Sequence, residues 1–178
     1  MSNNVNIMSN LSQYDAANAK FYNCMRIKTL PLYSFDFHHE YTKVLQNTFI
    51  DTARIKNLAA RNKWKDTNWD LESILRDEVV IVTDANLKIV FASHNLVKMN
   101  GYVEEEVLGK SPKMFQGEVT NKITSSEIRK AISSKQPFEN VVMNYKKNGE
   151  VYACLIKGYP VFNKKGEFSH YIAFERAA

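Results

Sequence analysis

The sequence predicts an α+β fold in which a five-stranded antiparallel sheet with a helical connection is preceded by an N-terminal helical extension. The first observation is a change of pattern. Apolar residues recur at helical spacing in residues 35–64, whereas after Val79 they gather into short β-branched and aromatic runs. The second observation is Asn148-Gly149, which joins two of these runs and is among the strongest short signals for a hairpin.

The N-terminal region is predicted to be a polar tail followed by helices. Residues 1–15 show no hydrophobic period, and weak helical periodicity at 14–27 stops at Leu30-Pro31. A stronger pattern marks one face of a helix at 35–64. This face consists of Tyr41, Val44, Leu45, Thr48, Thr52, Ile55 and Ala59.

A further short helix is predicted just before the sheet. Asp66 or Thr67 can cap it, and it is expected to end at Arg76. Its apolar side chains are available to pack against whatever follows. We therefore assign residues 1–76 to the helical extension and residues 77–178 to the sheet domain.

The sheet domain is expected to begin with a hairpin and to continue through helices. The predicted strands of this hairpin are 79–82 and 89–91. The predicted helices that follow are 94–101, 103–108 and 121–134. Three more strands complete the pattern, at 138–146, 151–161 and 167–173. Two strands, a helical connection and three antiparallel strands make the predicted five-stranded sheet.

Composition narrows the class of protein. The 178 residues carry a net charge of +5 without a concentrated basic patch, so we expect no nucleic-acid binding. Two cysteines, Cys24 and Cys154, are too few for a disulfide framework, which favours a reducing cytoplasm. No apolar run approaches the roughly 20 residues of a membrane span, and the N-terminus lacks an export signal. We therefore expect a cytoplasmic protein that does not engage a membrane.

One stretch resembles a known family. Residues 93–117 read SHNLVKMNGYVEEEVLGKSPKMFQG. This segment resembles the cofactor-cradling part of LOV domains, the flavin-binding blue-light branch of the PAS sensory superfamily. VTD, the IRKAI run, NYKKNGEVY and PVFNKKG extend the resemblance over about residues 77–176. The resemblance implies a PAS fold, in which a helix before the sheet lies across the open sheet face.

The resemblance also implies a missing photochemical group. LOV domains carry GxNCRFLQG where this chain has GKSPKMFQG, Gly109 to Gly117. The LOV cysteine attacks photoexcited flavin to form a thiol adduct, and Pro112 matches its position. Proline has no nucleophile and no backbone N–H. We therefore expect no cysteinyl-flavin photochemistry.

Four positions match LOV residues that hold the cofactor. Lys113 and Arg129 match the two arginines on the phosphate side, and lysine keeps the charge although it loses the bidentate fork. Gln116 matches the glutamine that contacts the ribityl chain. Asn144 matches the first asparagine that binds the isoalloxazine edge. These four residues imply a pocket still shaped for a nucleotide-like ligand.

Two further positions depart from the LOV pattern. Cys154 replaces the second edge-binding asparagine and Glu175 replaces the signalling glutamine. An ionised carboxylate can only accept hydrogen bonds, whereas the glutamine amide can donate one to flavin. Flavin binding would then require Glu175 to be protonated, as burial could make it. The cofactor stays undetermined by the sequence, with FMN or FAD as the candidates.

Simpler interpretations remain open for several of these residues. Lys113 and Arg129 could be solvated charges, Asn144 could serve only the strand end, and Cys154 could be a small buried hydrophobe. His38-His39-Glu40 does not predict a metal site, because consecutive helical residues point to different faces. No nucleophile, base and orienting residue occur at a recognisable spacing, so we expect no catalytic site and no enzyme.

These expectations combine into a stand-alone cytoplasmic sensory or interaction module. Because the chain ends with the last predicted strand, we expect its output to pass through association, as a homodimer or with a signalling partner, while a small molecule could occupy the pocket. The alternative is a LOV flavoprotein without the cysteine, which binds FMN or FAD and signals through flavin reduction. A third interpretation, an accessory to transcription, rests only on the net charge.

Overall fold

The computed structural model describes residues 33–66 and 68–178. The tail at 1–15 and the helix predicted at 14–27 lie outside these residues. The chain divides into two compact units, Met1–Thr42 and Lys43–Ala178. The helices are α1 Tyr33–Arg61, α2 Leu71–Asp77, α3 Leu96–Asn100, α4 Glu104–Val107, a 3₁₀ helix Pro112–Phe115 and α5 Lys122–Ser133. The strands are β1 Val79–Thr83, β2 Ile89–Ala92, β3 Phe138–Tyr145, β4 Val151–Phe162 and β5 Phe168–Ala177.

The predicted fold class is confirmed. The five strands form one sheet in the order β2-β1-β5-β4-β3, and each neighbouring pair is antiparallel. The β3–β4 turn contains Asn148-Gly149 as expected, and Gly149 has a φ of +87°, a conformation that glycine adopts without steric cost. The long central strands β4 and β5 therefore present two extended faces on which the other elements pack.

Several element boundaries differ from the sequence expectation, and two of the differences are the start of α2 and the end of β5. Helix α2 begins later than predicted, because Asp70 and not Asp66 or Thr67 is its N-cap and accepts the N–H of Ser73 at 3.2 Å. Strand β5 continues to Ala177, four residues beyond the predicted end at 173. The strand is longer because residues 174–177 form backbone hydrogen bonds with β4. A pattern of apolar residues does not reveal such pairing.

The face of the sheet opposite the 3₁₀ helix, here called the outer face, is partly covered by helices. Ile55 of α1 and Trp64 are 2% and 5% exposed and pack in one apolar cluster with Val80, Ile172 and other strand residues. Residues of α2 pack against the same cluster, as the resemblance implied. The domain boundary between residues 76 and 77 stays a proposal, but residues on both sides of it share this core.

A polar network also joins α1 to the sheet domain. The carboxylate of Asp51, 2% exposed, accepts the backbone N–H of His94 at 2.8 Å and lies 2.7 Å from its ring Nδ1. Arg54 pairs with Glu104 at 2.7 Å. Burial raises the pKa of Asp51, and its hydrogen bonds to His94 oppose that shift. The network meets the requirement that a buried carboxylate be hydrogen-bonded.

A second apolar cluster lies on the other face, here called the inner face. It combines Ile81, Ile89, Leu96, Val107 and Phe115, all of them 2% exposed or less. The cluster anchors α3, α4 and the 3₁₀ helix over one part of the sheet. None of the described helices has the length and apolar character needed to cross a membrane.

Candidate functional site

A cavity of about 460 Å³ lies between the inner face of the sheet and the helical connection. Strands β1, β3, β4 and β5, the 3₁₀ helix and α5 contribute to its walls, together with loop residues Leu87, Ser111 and Gln116. The volume lies within the range of roughly 300–1,000 Å³ that is usual for small-molecule sites. Its lining is mostly apolar with a few polar groups, which is the composition expected of a pocket for a small organic ligand.

The floor of the cavity follows from the strand register. Side chains alternate between the two faces of a strand, so Tyr171, Ala173 and Glu175 of β5 all point to the inner face. On β4, Ile156 pairs with Glu175 and Gly158 pairs with Ala173. Ala173 and its strand partner Gly158 are small, so they leave room for a flat ligand over the centre of the sheet.

A close approach between Gly158 and Phe138 shapes one wall. A Cβ atom added to Gly158 would overlap the Phe138 ring. The centroid of the Phe138 ring lies 6.4 Å from the centroid of the Tyr171 ring. Glycine at position 158 therefore permits an aromatic wall that a larger residue would displace.

The helical side of the cavity carries two positive charges. Lys113 belongs to the 3₁₀ helix, which starts with Pro112 at its first position and with Ser111 as N-cap. Arg129 belongs to α5. Both cations line the cavity, both are exposed, and neither forms an ion pair with another described residue. They can therefore receive an anionic group of a ligand without losing an existing partner.

Buried polar atoms without partners also line the cavity. The Asn144 side chain is 3% exposed and Thr83 is 6% exposed, and neither Asn144 Oδ1 nor Thr83 Oγ1 has a hydrogen-bond partner among the described residues. Buried polar groups in folded proteins are nearly always hydrogen-bonded, and an unmet group costs roughly 1–3 kcal/mol. These two atoms are suited to hydrogen bonds with a bound molecule.

Glu175 is the acidic group of the site. It is 5% exposed, and the Sγ atom of Cys154 lies 3.8 Å from its Oε2. Burial raises the pKa of Glu175 to about 7, and the contact with Cys154 acts weakly in the opposite direction. The carboxyl group therefore changes its charge near neutral pH.

The neighbouring cysteine stays a thiol. Cys154 is fully buried on β4, and burial raises its pKa, with the charge of Glu175 adding to the shift. Burial likewise raises the pKa of the Tyr152 hydroxyl. A buried thiol without a nearby cation is a weak nucleophile, because the thiolate is the reactive form.

The structure brings most of the predicted site residues together. Five of the six line the one cavity: Lys113, Gln116, Arg129, Asn144 and Glu175. Cys154 does not line it, although its Sγ atom lies 3.8 Å from Oε2 of Glu175. Pro112, at the position that matches the LOV cysteine, also lines the cavity.

Several residues of the lining were not predicted from the sequence, among them Thr83, Gly158 and Tyr171. Thr83 lies within the VTD match but was not assigned a role, and Tyr171 and Gly158 carried no signal of their own. Their contribution depends on strand pairing, which brings Thr83 opposite Tyr171 and Gly158 opposite Ala173. Among the described residues, no group of three or more His, Cys, Asp or Glu side chains could hold a metal ion.

A flavin is compatible with most of this arrangement. The two cations suit a phosphate, and the free Asn144 oxygen suits a ring N–H. Glu175 is compatible only in its protonated form, because the ionised carboxylate would face acceptor atoms of the ring edge. The site therefore admits such a ring only together with a proton on Glu175.

Comparison with known proteins supports the sensory resemblance. Residues 76–176 match the family described as PAS domain. Protein TWIN LOV 1 of Arabidopsis thaliana is 40% identical over 88 residues, which are 49% of this chain and 22% of that protein. A blue-light-activated histidine kinase of Brucella ovis is 31% identical over 97 residues, 53% of this chain and 20% of that protein. The chain thus spans about a fifth of the length of these relatives.

A solved structure shows the same architecture. The light-state dimer of the fungal blue-light photoreceptor Vivid has a TM-score of 0.53 and 26% identity, over 56% of this chain and 76% of that chain. These matches confirm the resemblance drawn from the sequence.

Proposed function

Because the chain belongs to the PAS domain family, we propose that this sensory domain of signal transduction binds a small molecule in its cavity and acts through association, without catalysis and without cysteinyl-flavin photochemistry. We place it in the cytoplasm, since its described cysteine, Cys154, is a free thiol. The observation that carries the proposal is the cavity of about 460 Å³ with unpartnered polar atoms in its wall. The residues proposed to hold the ligand are Lys113, Gln116, Arg129, Asn144 and Glu175, with Cys154 supporting Glu175.

The experiment is to identify what the cavity holds. We expect a small molecule to be released when protein purified from its native cells is denatured and analysed by mass spectrometry. The variant Ala173→Leu fills part of the floor and should lose this molecule while keeping the circular dichroism spectrum of the wild type. A folded wild-type protein that never carries a molecule would contradict the proposal.

A second candidate function is a flavoprotein that lacks the photoactive cysteine and signals through flavin reduction. The specific observation in its favour is Asn144, whose buried and unpartnered oxygen is suited to a flavin ring N–H. The purified protein would then be yellow. In that case the molecule identified by mass spectrometry would be FMN or FAD.

We expect no LOV photocycle in either case. Pro112 cannot supply a thiolate, and burial keeps the thiol of Cys154 protonated. The measurement is absorption spectroscopy of flavin-loaded protein during blue illumination. The Pro112→Cys variant is the matched comparison, because it returns a thiol to the cavity wall. Reversible bleaching of the wild type to an adduct spectrum would disprove this prediction.

We also expect three substitutions together to improve flavin binding: Pro112→Cys, Cys154→Asn and Glu175→Gln. Pro112→Cys returns a thiol, Cys154→Asn returns an amide and Glu175→Gln returns a hydrogen-bond donor. Each new hydrogen bond to the flavin should contribute about 0.5–1.5 kcal/mol. Flavin affinity should then increase by roughly one to two orders of magnitude.

The measurement is a fluorescence titration of wild type and triple variant with FMN. Cys154 does not line the cavity, so the double variant without Cys154→Asn shows how much that position adds. A folded triple variant that binds no better than wild type would mean that the apolar walls, not these three positions, limit flavin binding.

We propose a homodimer as the associated state, with α1 in the interface. The supporting observation is an apolar stripe on α1, where Phe49 is 72%, Ile50 46% and Leu45 39% exposed. Large exposed apolar stripes usually mark interaction sites. The related photoreceptor Vivid forms a dimer in its light state.

The variant Phe49→Ser with Ile50→Ser should reduce the mass in light scattering from dimer to monomer. The matched control is Ile123→Ser, which removes an apolar side chain that is 70% exposed outside α1. A wild type that is monomeric, or a double variant that stays dimeric, would contradict the α1 interface. If a signalling partner binds α1 in place of the second copy, the double variant Phe49→Ser with Ile50→Ser should lose binding to that partner.

A further inference from the structure

Glu175 is the starting point, because the structure buries a carboxyl group in a ligand cavity without a compensating charge. Its strand neighbours are Val79 on β1 and Ile156 on β4, both apolar. The only hydrogen-bonding contact described for its side chain is the Cys154 thiol at 3.8 Å, which is long and weak. A buried carboxylate normally has a cation or several donors beside it, and here the described residues provide neither.

The titratable groups around Glu175 do not supply the missing charge. From β4, Cys154 and Tyr152 approach it, and both are acids whose ionised forms would repel the carboxylate. From the helical side, Lys113 and Arg129 line the same cavity but form no ion pair with it. Arg176 follows on the opposite face of β5 and is exposed. The environment therefore favours the neutral carboxylic acid over the carboxylate.

The protonated and ionised forms offer different hydrogen bonds to a ligand. A carboxylic acid has one O–H donor, whereas a carboxylate has only acceptors. Asn144 adds an unpartnered acceptor oxygen to the same cavity. A ligand that presents one acceptor and one donor can satisfy both groups only while Glu175 holds its proton.

We propose that ligand binding in this cavity is coupled to proton uptake at Glu175, and that the site takes a neutral planar heterocycle with an acceptor facing Glu175 and a donor facing Asn144. This inference rests on the proposed ligand-binding function. No covalent bond of the ligand is broken. The ligand accepts a hydrogen bond from the carboxylic acid, and this hydrogen bond is lost when Glu175 releases its proton to water. By linkage, a ligand that needs the protonated form binds more weakly as pH rises, and its binding takes up a proton.

The pH range of the coupling follows from the electrostatics of the site. Burial raises the pKa of Glu175 to about 7, so the free protein loses this proton around neutral pH. Below that pH the acid is already in place and affinity is constant. Above it, affinity should fall by about tenfold for each pH unit, because each unit reduces the protonated fraction tenfold.

The test uses riboflavin as the probe, because it has the planar ring and no phosphate that titrates in this range. Wild-type protein is titrated by fluorescence quenching at about pH 6 and about pH 8.5, and affinity should fall by roughly ten- to thirtyfold between them. Glu175→Gln should bind riboflavin equally at both pH values and at least as well as the wild type at the lower pH. Glu139→Gln, an exposed carboxylate on β3, should keep the wild-type dependence.

Infrared spectroscopy supplies a readout that needs no ligand. The ligand-free wild type should show a protonated carboxyl band at the lower pH that disappears at the higher pH and is absent from Glu175→Gln. Riboflavin affinity that is independent of pH, or equally dependent in Glu175→Gln, would overturn the coupling and leave the proposed small-molecule function intact. Absence of riboflavin binding in both proteins would overturn the ligand class, and an empty native cavity would overturn the proposed function itself.

Discussion

Replacing Glu175 by glutamine is expected to stabilise the fold by about 3 kcal/mol at about pH 8 while changing little at about pH 4.5. The pKa of this carboxyl is raised from its ordinary 4.5 to about 7 because the group is buried. Between these values the folded protein holds a proton that the unfolded chain releases. The free energy of unfolding of the wild type therefore falls as pH rises from about 4.5 to about 7 and is flat above. Glutamine cannot ionise, so the free energy of unfolding of the variant does not decrease in this way as pH rises.

Urea denaturation followed by circular dichroism at both pH values measures this effect. At each pH, the free energy of unfolding of the wild type is subtracted from that of the variant. The value at the lower pH is then subtracted from the value at the higher pH, because the contributions of other titrating groups cancel in this double difference. Glu139→Gln is the control and should show no such difference, since that side chain is exposed. Parallel pH dependences for Glu175→Gln and wild type would show that folding does not raise the pKa of Glu175.

Replacing Ile55 by alanine is expected to destabilise the protein by about 2–5 kcal/mol. Ile55 is 2% exposed and packs with Trp64, Val80 and Ile172 in the cluster on the outer face. Removing its side chain loses buried apolar surface and leaves a cavity that the rigid sheet cannot fill. The large expected cost identifies the second half of α1 as part of the sheet domain's core.

The matched control is Ile123→Ala on α5. Ile123 is 70% exposed, so its truncation should change the free energy of unfolding by less than about 0.5 kcal/mol. Both variants place alanine in a helix, which makes the helix-propensity contribution similar. Equal effects of the two substitutions would mean that α1 contributes nothing to the core, and a fragment beginning at residue 77 should then fold as well as the longer chain.

Some elements of the fold depend on local sequence alone, and others depend on contacts between distant residues. The β3–β4 hairpin was predictable because Asn148-Gly149 suffices to select its turn, and the helix predicted at 121–134 corresponds to α5. The N-cap of α2 was not predictable, since Asp66, Thr67 and Asp70 are all suitable capping residues. Only the packing of Trp69 and Leu71 on the sheet decides where that helix begins.

The site shows the same division. Family resemblance indicated Lys113, Gln116, Arg129, Asn144 and Glu175, and these residues line one cavity. Thr83 and Gly158 could not be predicted, because their place in the wall comes from pairing between strands far apart in the chain. Cys154 was assigned to the site from its matched position, but it contacts Glu175 without lining the cavity.

By itself the sequence determined the fold class, the order of the strands along the chain and the residue types available at the site. These properties follow from local patterns, since helical and strand periods and turn residues act over a few neighbours. Only the tertiary structure decided that the α1 helix completes the outer core and that Glu175 titrates near neutral pH. The physical reason is desolvation. The pKa of a carboxyl depends on how much water and charge surround it, and apolar neighbours from β1 and β4, with no cation paired to Glu175, leave its ionised form without stabilisation.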